Sequence, residues 1–90
     1  MPVLKVSALM KYYTDNQTEV AVLGATVIDA LNDAVKKHRA LKAQIFDSNG
    51  KLRRHINVFV NDENVKELKG LKTELKEEDR ITLLASISGG

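Results

Sequence analysis

The sequence predicts a two-layer α+β domain in which one amphipathic helix covers one sheet. Three observations carry this expectation. Valines and isoleucines alternate with polar or small neighbours in residues 18–23 and 55–60, the period-2 pattern of a strand with one buried face. Between these stretches, residues 27–37 repeat their apolar side chains at helical spacing. A β-branched apolar run that begins at Ile81 then forms a last strand. The resulting order is strand, strand, helix, strand, short strand, strand, and a single helix facing a single sheet encloses one core.

Residues 3–9 form the first strand, with Val3, Leu4 and Val6 set among small and polar neighbours. Residues 10–17 carry Tyr12-Tyr13-Thr14-Asp15-Asn16 and read as a loop. The two tyrosines either join a partner contact or cover one end of the core, and both roles stay open. Residues 18–23 return as the second arm of a hairpin, Val20 and Val22 alternating against Glu19 and Ala21, until Gly24 breaks the strand.

Thr26 is suited to cap a helix, with Asp29 three residues on in place of the glutamate of a capping box. Ile28, Leu31 and Val35 fall at i, i+3 and i+7, and Val27 and Ala34 widen the stripe. Lys36, Lys37, His38 and Arg39 close the last turn, where positive charge suits the helix dipole. Residues 41–46 are either a short second turn of helix or an irregular stretch that lays Leu41, Ile45 and Phe46 on the core. Asp47-Ser48-Asn49-Gly50 is a turn; its acceptor spacing does not make a calcium loop.

In residues 55–60 the alternation sends Ile56, Val58 and Val60 one way and Asn57 and Phe59 the other. Residues 61–64 turn the chain, residues 65–68 read as a short edge strand, and Gly70 makes another turn. Leu71 and Leu75 tuck onto the core, and Glu77-Glu78-Asp79 breaks the chain before the final strand.

Ninety residues suit one domain, since halving the chain would leave neither part an adequate core. With no cysteine, disulfides, thiolate metal ligands and a side-chain thiol nucleophile are excluded. Fourteen basic and twelve acidic residues leave a net charge of +2, a mixed surface and not a nucleic-acid footprint. Lys36, Lys37, Arg39, Lys42, Lys51, Arg53 and Arg54 accordingly read as solvated charge. His38 and His55 read as surface histidines, and no metal site is expected. There is no apolar run of ~20 residues and no basic-then-apolar leader at Met1-Pro2-Val3-Leu4-Lys5, so the cytoplasm is the expected location. No serine–histidine–aspartate set, phosphate-cradling loop or carboxylate pair is visible, so the chain is not expected to be an enzyme.

The final strand runs into Ile87-Ser88-Gly89-Gly90. Glycine lacks Cβ and passes through gaps too narrow for a side chain. Four residues at ~3.3 Å each reach about 13 Å, enough to carry a carboxylate into another protein's active site. The expected organisation is therefore a domain over residues 1–86 and a flexible tail over residues 87–90, with the Gly90 carboxylate as the working group. A frayed end without function is the plain alternative.

A family resemblance follows from several stretches together. These are Leu52-Arg53-Arg54-His55-Ile56-Asn57-Val58-Phe59-Val60-Asn61-Asp62-Glu63-Asn64-Val65, then Gly70-Leu71 and Thr73, then Asp79-Arg80-Ile81-Thr82-Leu83-Leu84, and Gly89-Gly90. With the order of elements, they resemble the β-grasp, ubiquitin-like sulfur carriers that serve molybdopterin synthase, thiazole formation and a cysteine synthase. The fold this implies is a mixed sheet of four to five strands packed on one main helix. Many members carry a proline shortly before the glycines; here Ala85-Ser86-Ile87-Ser88 stands instead, which leaves the tail freer.

The resemblance implies that a partner enzyme adenylates Gly90 with Mg-ATP and that a sulfur donor then leaves a thiocarboxylate. Gly89, Ser88 and Ile87 would thread the partner's channel. No cofactor would be bound by the carrier itself. The implied partners are an ATP-dependent activating enzyme and a sulfur-accepting synthase, of the cysteine or molybdopterin type, with no membrane or nucleic acid, and the free carrier is expected to be a monomer. Phe59 and Leu84, placed opposite the helix by alternation, would form the face that partners grip; a bulge that turned Phe59 into the core is the alternative. A ubiquitin-like modifier conjugated through Gly90, or a binding module without tail chemistry, would share the same fold.

Overall fold

Residues 1–85 are described by the computed structural model, and they assemble around the last strand. Five strands form one mixed sheet: β1 (Val3–Val6), β2 (Glu19–Ala21), β3 (Ile56–Val60), β4 (Glu63–Asn64) and β5 (Arg80–Ala85). Their spatial order is β2-β1-β5-β3-β4, which puts β5 in the middle. It runs parallel to β1, with Leu4 beside Ile81 and Val6 beside Leu83. It runs antiparallel to β3, with Ile56 opposite Ala85 and Val60 opposite Ile81. β1 and β2 form the expected hairpin, Val3 opposite Ala21.

Alternation sorts the faces as predicted. Leu4, Val6, Val20, Ile56, Val58, Val60, Ile81 and Leu83 are buried under the helical layer. That layer holds the expected main helix, α1 (Val27–Lys37), and a short second one, α2 (Arg39–Ile45), which is the helical of the two readings left open for residues 41–46. Thr26 caps α1, its hydroxyl accepting from the Asp29 N–H at 3.3 Å. The buried stripe of α1 is Val27, Ala30, Leu31 and Ala34; Ile28 and Val35, expected at its centre, are only partly buried at its edge. His38 leaves helical geometry (φ −131°, ψ 84°), and α2 starts at once, setting Leu41 and Ile45 at i and i+4 on the core.

Gly24 is where the hairpin meets α1. A Cβ there would lie 2.5 Å from the Ala30 nitrogen and 2.9 Å from its Cα, both backbone atoms that cannot move aside.

Two further expectations are corrected. Residues 65–68 are not an edge strand: Val65–Glu67 forms a 3-10 turn, because the Asn64 side chain accepts from the Lys66 N–H at 2.9 Å, and the edge strand is the preceding Glu63–Asn64. The first strand stops at Val6, and Met10–Tyr13 is a 3-10 turn within the predicted loop. The Asp47 turn forms as read, its carboxylate accepting from the Asn49 and Lys51 N–H groups at 2.8 and 3.0 Å.

Candidate functional site along the central strand

β5 is held first at its base. The Asn61 side chain donates to Asp79 Oδ1 and accepts from the Arg80 N–H, both at 3.0 Å, while its own N–H donates to the Arg80 carbonyl at 2.7 Å. Asn61 reaches this position with φ +55°, a left-handed geometry that asparagine tolerates better than most residues. The second oxygen of Asp79 accepts from the Lys76 N–H at 2.7 Å. That backbone donor, and after it the Asn61 amide, holds the Asp79 carboxyl below its ordinary value of 3.8. Further along, strands on both sides bond β5, and Ile81 and Leu83 are fully buried. The strand is fixed over its described length.

Its other face looks away from the helices. Thr82 and Leu84 point there, with Phe59 on β3 opposite Thr82 and Asn57 opposite Leu84. Phe59 is half-buried, and its two strand neighbours Val58 and Val60 are the ones turned to the core. Leu84 is 44% exposed. Phe59 and Leu84, with Asn61, Asp62 and Thr82, border one hollow of about 230 Å³ on this face. A larger open hollow of about 600 Å³ lies on the helical layer, among Asn32, Lys36, Arg39 and Lys42, with β5 contributing nothing to it.

Gly90, Gly89, Ser88 and Ile87 lie outside the described residues, as does the boundary expected at residue 86. What the structure places is their root, Ala85, at the end of the central strand. It also separates the two tyrosines. Tyr13 packs against the core, whereas Tyr12 is 81% exposed and meets the Tyr13 ring edge-on, with centroids 5.5 Å apart. Leu9, read as the last residue of β1, is also exposed. β1 ends at Val6 and the chain turns after Ser7, so no strand alternation reaches Leu9 and the sequence held no periodic signal for its exposure.

His38 is not a surface histidine. Its side chain is 10% exposed, and Nδ1 lies 3.4 Å from the Asp15 carboxylate, joining the first loop to the α1–α2 corner. Among the described residues, no group of three or more histidine, aspartate or glutamate side chains is placed to hold a metal ion. Nor is any helix among them long and apolar enough to cross a membrane.

A mixed sheet with β1 and β5 parallel at its centre, crossed by a helical layer, is the ubiquitin-like β-grasp. Within that class the chain belongs to the ThiS family, whose model matches residues 4–90. It is 29% identical over 89 residues to the sulfur carrier protein CysO of Mycobacterium tuberculosis, covering 97% of this chain and 96% of the other. Among solved structures, a chain of the BexX/CysO complex from Amycolatopsis orientalis superposes with a TM-score of 0.90 at 33% identity, all of both chains being covered. The small archaeal modifier protein 1 of Methanosarcina acetivorans superposes at 0.87 with 34% identity, over 99% of this chain and 95% of that one.

Proposed function

We propose that this protein carries sulfur as a thiocarboxylate on Gly90. The observation that carries the reading is the family match, which runs through both glycines on a chain akin to a sulfur carrier over nearly its whole length. A carboxylate is a poor electrophile, so it must be activated. In the partner enzyme, a Gly90 carboxylate oxygen attacks the α-phosphorus of Mg-ATP and pyrophosphate leaves. A sulfur nucleophile at the oxidation level of hydrosulfide then attacks the carbonyl carbon, and the bond to AMP breaks. The thiocarboxylate that remains is the sulfur donor for a synthase of the cysteine or molybdopterin type. Both chemical steps belong to the partners. This chain's part is position, and β5, bonded on both flanks and tied at its base, supplies a rigid origin for the residues that follow Ala85. Phe59 and Leu84 form the face on which partners seat.

A second reading is favoured by the likeness to an archaeal modifier: the same activated Gly90 joined to lysine amines of target proteins. Intact mass after incubation with the activating enzyme, Mg-ATP and a sulfur source tests both. A gain of one oxygen-to-sulfur exchange, lost when Gly90 is deleted, supports the carrier. Higher-mass adducts on other proteins support the modifier, and an unchanged mass with partner binding intact overturns both.

A further inference from the structure

The most exposed large apolar side chains of the described residues are Leu9 and Tyr12, at 77% and 81%. They sit on a loop built to hold them out. Its 3-10 turn is pinned by the buried Met10, whose N–H donates to the Ser7 carbonyl at 3.0 Å. The loop closes on the buried Thr14 hydroxyl, which donates to the Gln17 carbonyl at 2.6 Å, the Lys11 carbonyl lying 3.1 Å from the same oxygen. Tyr13 anchors in the core and braces the Tyr12 ring. A fixed loop that leaves a leucine and a tyrosine in water is the pattern of a binding surface, since tyrosine brings contact area at low entropy cost.

Topology says where this surface lies. β1 and β5 are parallel, with Val6 beside Leu83, and the chain turns directly after Ser7. Leu9 and Tyr12 therefore stand at the end of the sheet where β5 stops at Ala85. Five residues from there to Gly90 span at most about 17 Å. A protein that receives Gly90 in a closed site must bring the rim of that site close to Ala85, and so against its neighbours.

We infer that Leu9 and Tyr12 form an apolar collar that seats on the rim of the adenylating partner's tail channel, the partner supplying a matching apolar surface. This rests on the carrier reading above and extends it to a contact outside the Phe59–Leu84 face.

The test compares the full chain with Leu9→Ser, Tyr12→Ala and, as a control, Leu23→Ser. Leu23 is 59% exposed but lies at the opposite end of the sheet, past the last residue of β2. Each is measured for binding to the activating enzyme by calorimetry and for ATP–pyrophosphate exchange. Expected is a rise in Kd and in the KM for the carrier of about tenfold or more for Leu9→Ser and Tyr12→Ala, with kcat within about twofold and melting temperatures unchanged. Leu23→Ser should match the wild type. Equal losses in all three variants, or none in the first two, overturn the collar. A faster kcat would mean that the patch seats the chain's own last residues, and a dimer dispersed by Tyr12→Ala in sedimentation would mean a second copy; either overturns it. If the wild type binds but supports no exchange, the carrier reading fails while the binding data still judge the collar. If it does not bind at all, both fall.

Discussion

At its start, β5 is enclosed by polar chemistry that leaves little free: Asn61 and Asp79 share their hydrogen bonds with Arg80 and Lys76. Close by, Asp33 accepts from the Leu23 N–H at 2.9 Å and pairs with Lys37 at 3.0 Å, while Lys37 also donates to the Ala21 carbonyl at 2.8 Å, covering the exposed edge of β2. At its other end, β5 stops on the exposed Leu84 and Ala85, at the end of the sheet where Leu9 and Tyr12 stand. One end ties the strand down, and the other displays apolar surface without covering it. The difference separates stability from recognition along one strand. Substitutions should divide accordingly.

The sharpest contrast is between adjacent residues. Leu83→Ala empties a fully buried site and should cost about 2–5 kcal/mol in urea unfolding, with no compensating change in partner contact. A cost below 1 kcal/mol would show that the middle of β5 is not the anchored part. Next in size is Gly24→Ala, beside the tied end. Its methyl meets the Ala30 backbone, so the hairpin and α1 must separate slightly, for about 1–3 kcal/mol by the same measurement. An unchanged midpoint would mean that the contact relaxes freely.

The two ends were not equally readable in the sequence. Long periodic stretches were: α1 with its Thr26 cap, β3 and β5 stand where their patterns put them. The stripe of α1 was shifted because Ala30 carries little hydropathy signal, yet its backbone is what Gly24, lacking a Cβ, approaches so closely. Seven residues gave α2 only the Leu41–Ile45 pair, too little to separate a helix from an irregular stretch. The run from Val65 looked like a strand until Asn64 turned its side chain onto the backbone. Placing Leu9 and Tyr12 beside Ala85 needs the parallel pairing of β1 and β5, a contact between opposite ends of the chain that no local pattern records.

Acid sharpens the comparison further. Asp33, Asp47 and Asp79 all lie below the ordinary 3.8, each led by a backbone N–H: that of Leu23, Lys51 and Lys76 respectively. A carboxyl depressed in the folded state contributes stability that is fully present above the unfolded value and lost as pH falls through the lower folded one. Unfolding free energy should therefore be level from neutral pH to about pH 5 and decline below 3.8. Asp79→Asn should lower it by about 1 kcal/mol at pH 7, solvent screening keeping the figure small, and the two proteins should converge in acid. Parallel pH curves would show that the Asp79 carboxylate is not a tie.

The smallest stability effect belongs to the displayed end. Leu84 is 44% exposed, and its inward neighbour Leu83 already fills the core beneath it, so Leu84→Ala removes little packed surface. Unfolding should shift by less than about 0.5 kcal/mol, the range of ordinary surface changes. Binding should respond out of proportion, with partner affinity weakened by about 1–2 kcal/mol if Leu84 and Phe59 are gripped across their shared hollow. Titrating the activating enzyme with Leu84→Ala and Leu83→Ala, both confirmed folded, puts the division to the test. Leu84→Ala should lose affinity at unchanged stability and Leu83→Ala stability at unchanged affinity. Were both to fall together in both variants, the end of β5 would be part of the packed domain and not a surface held out from it.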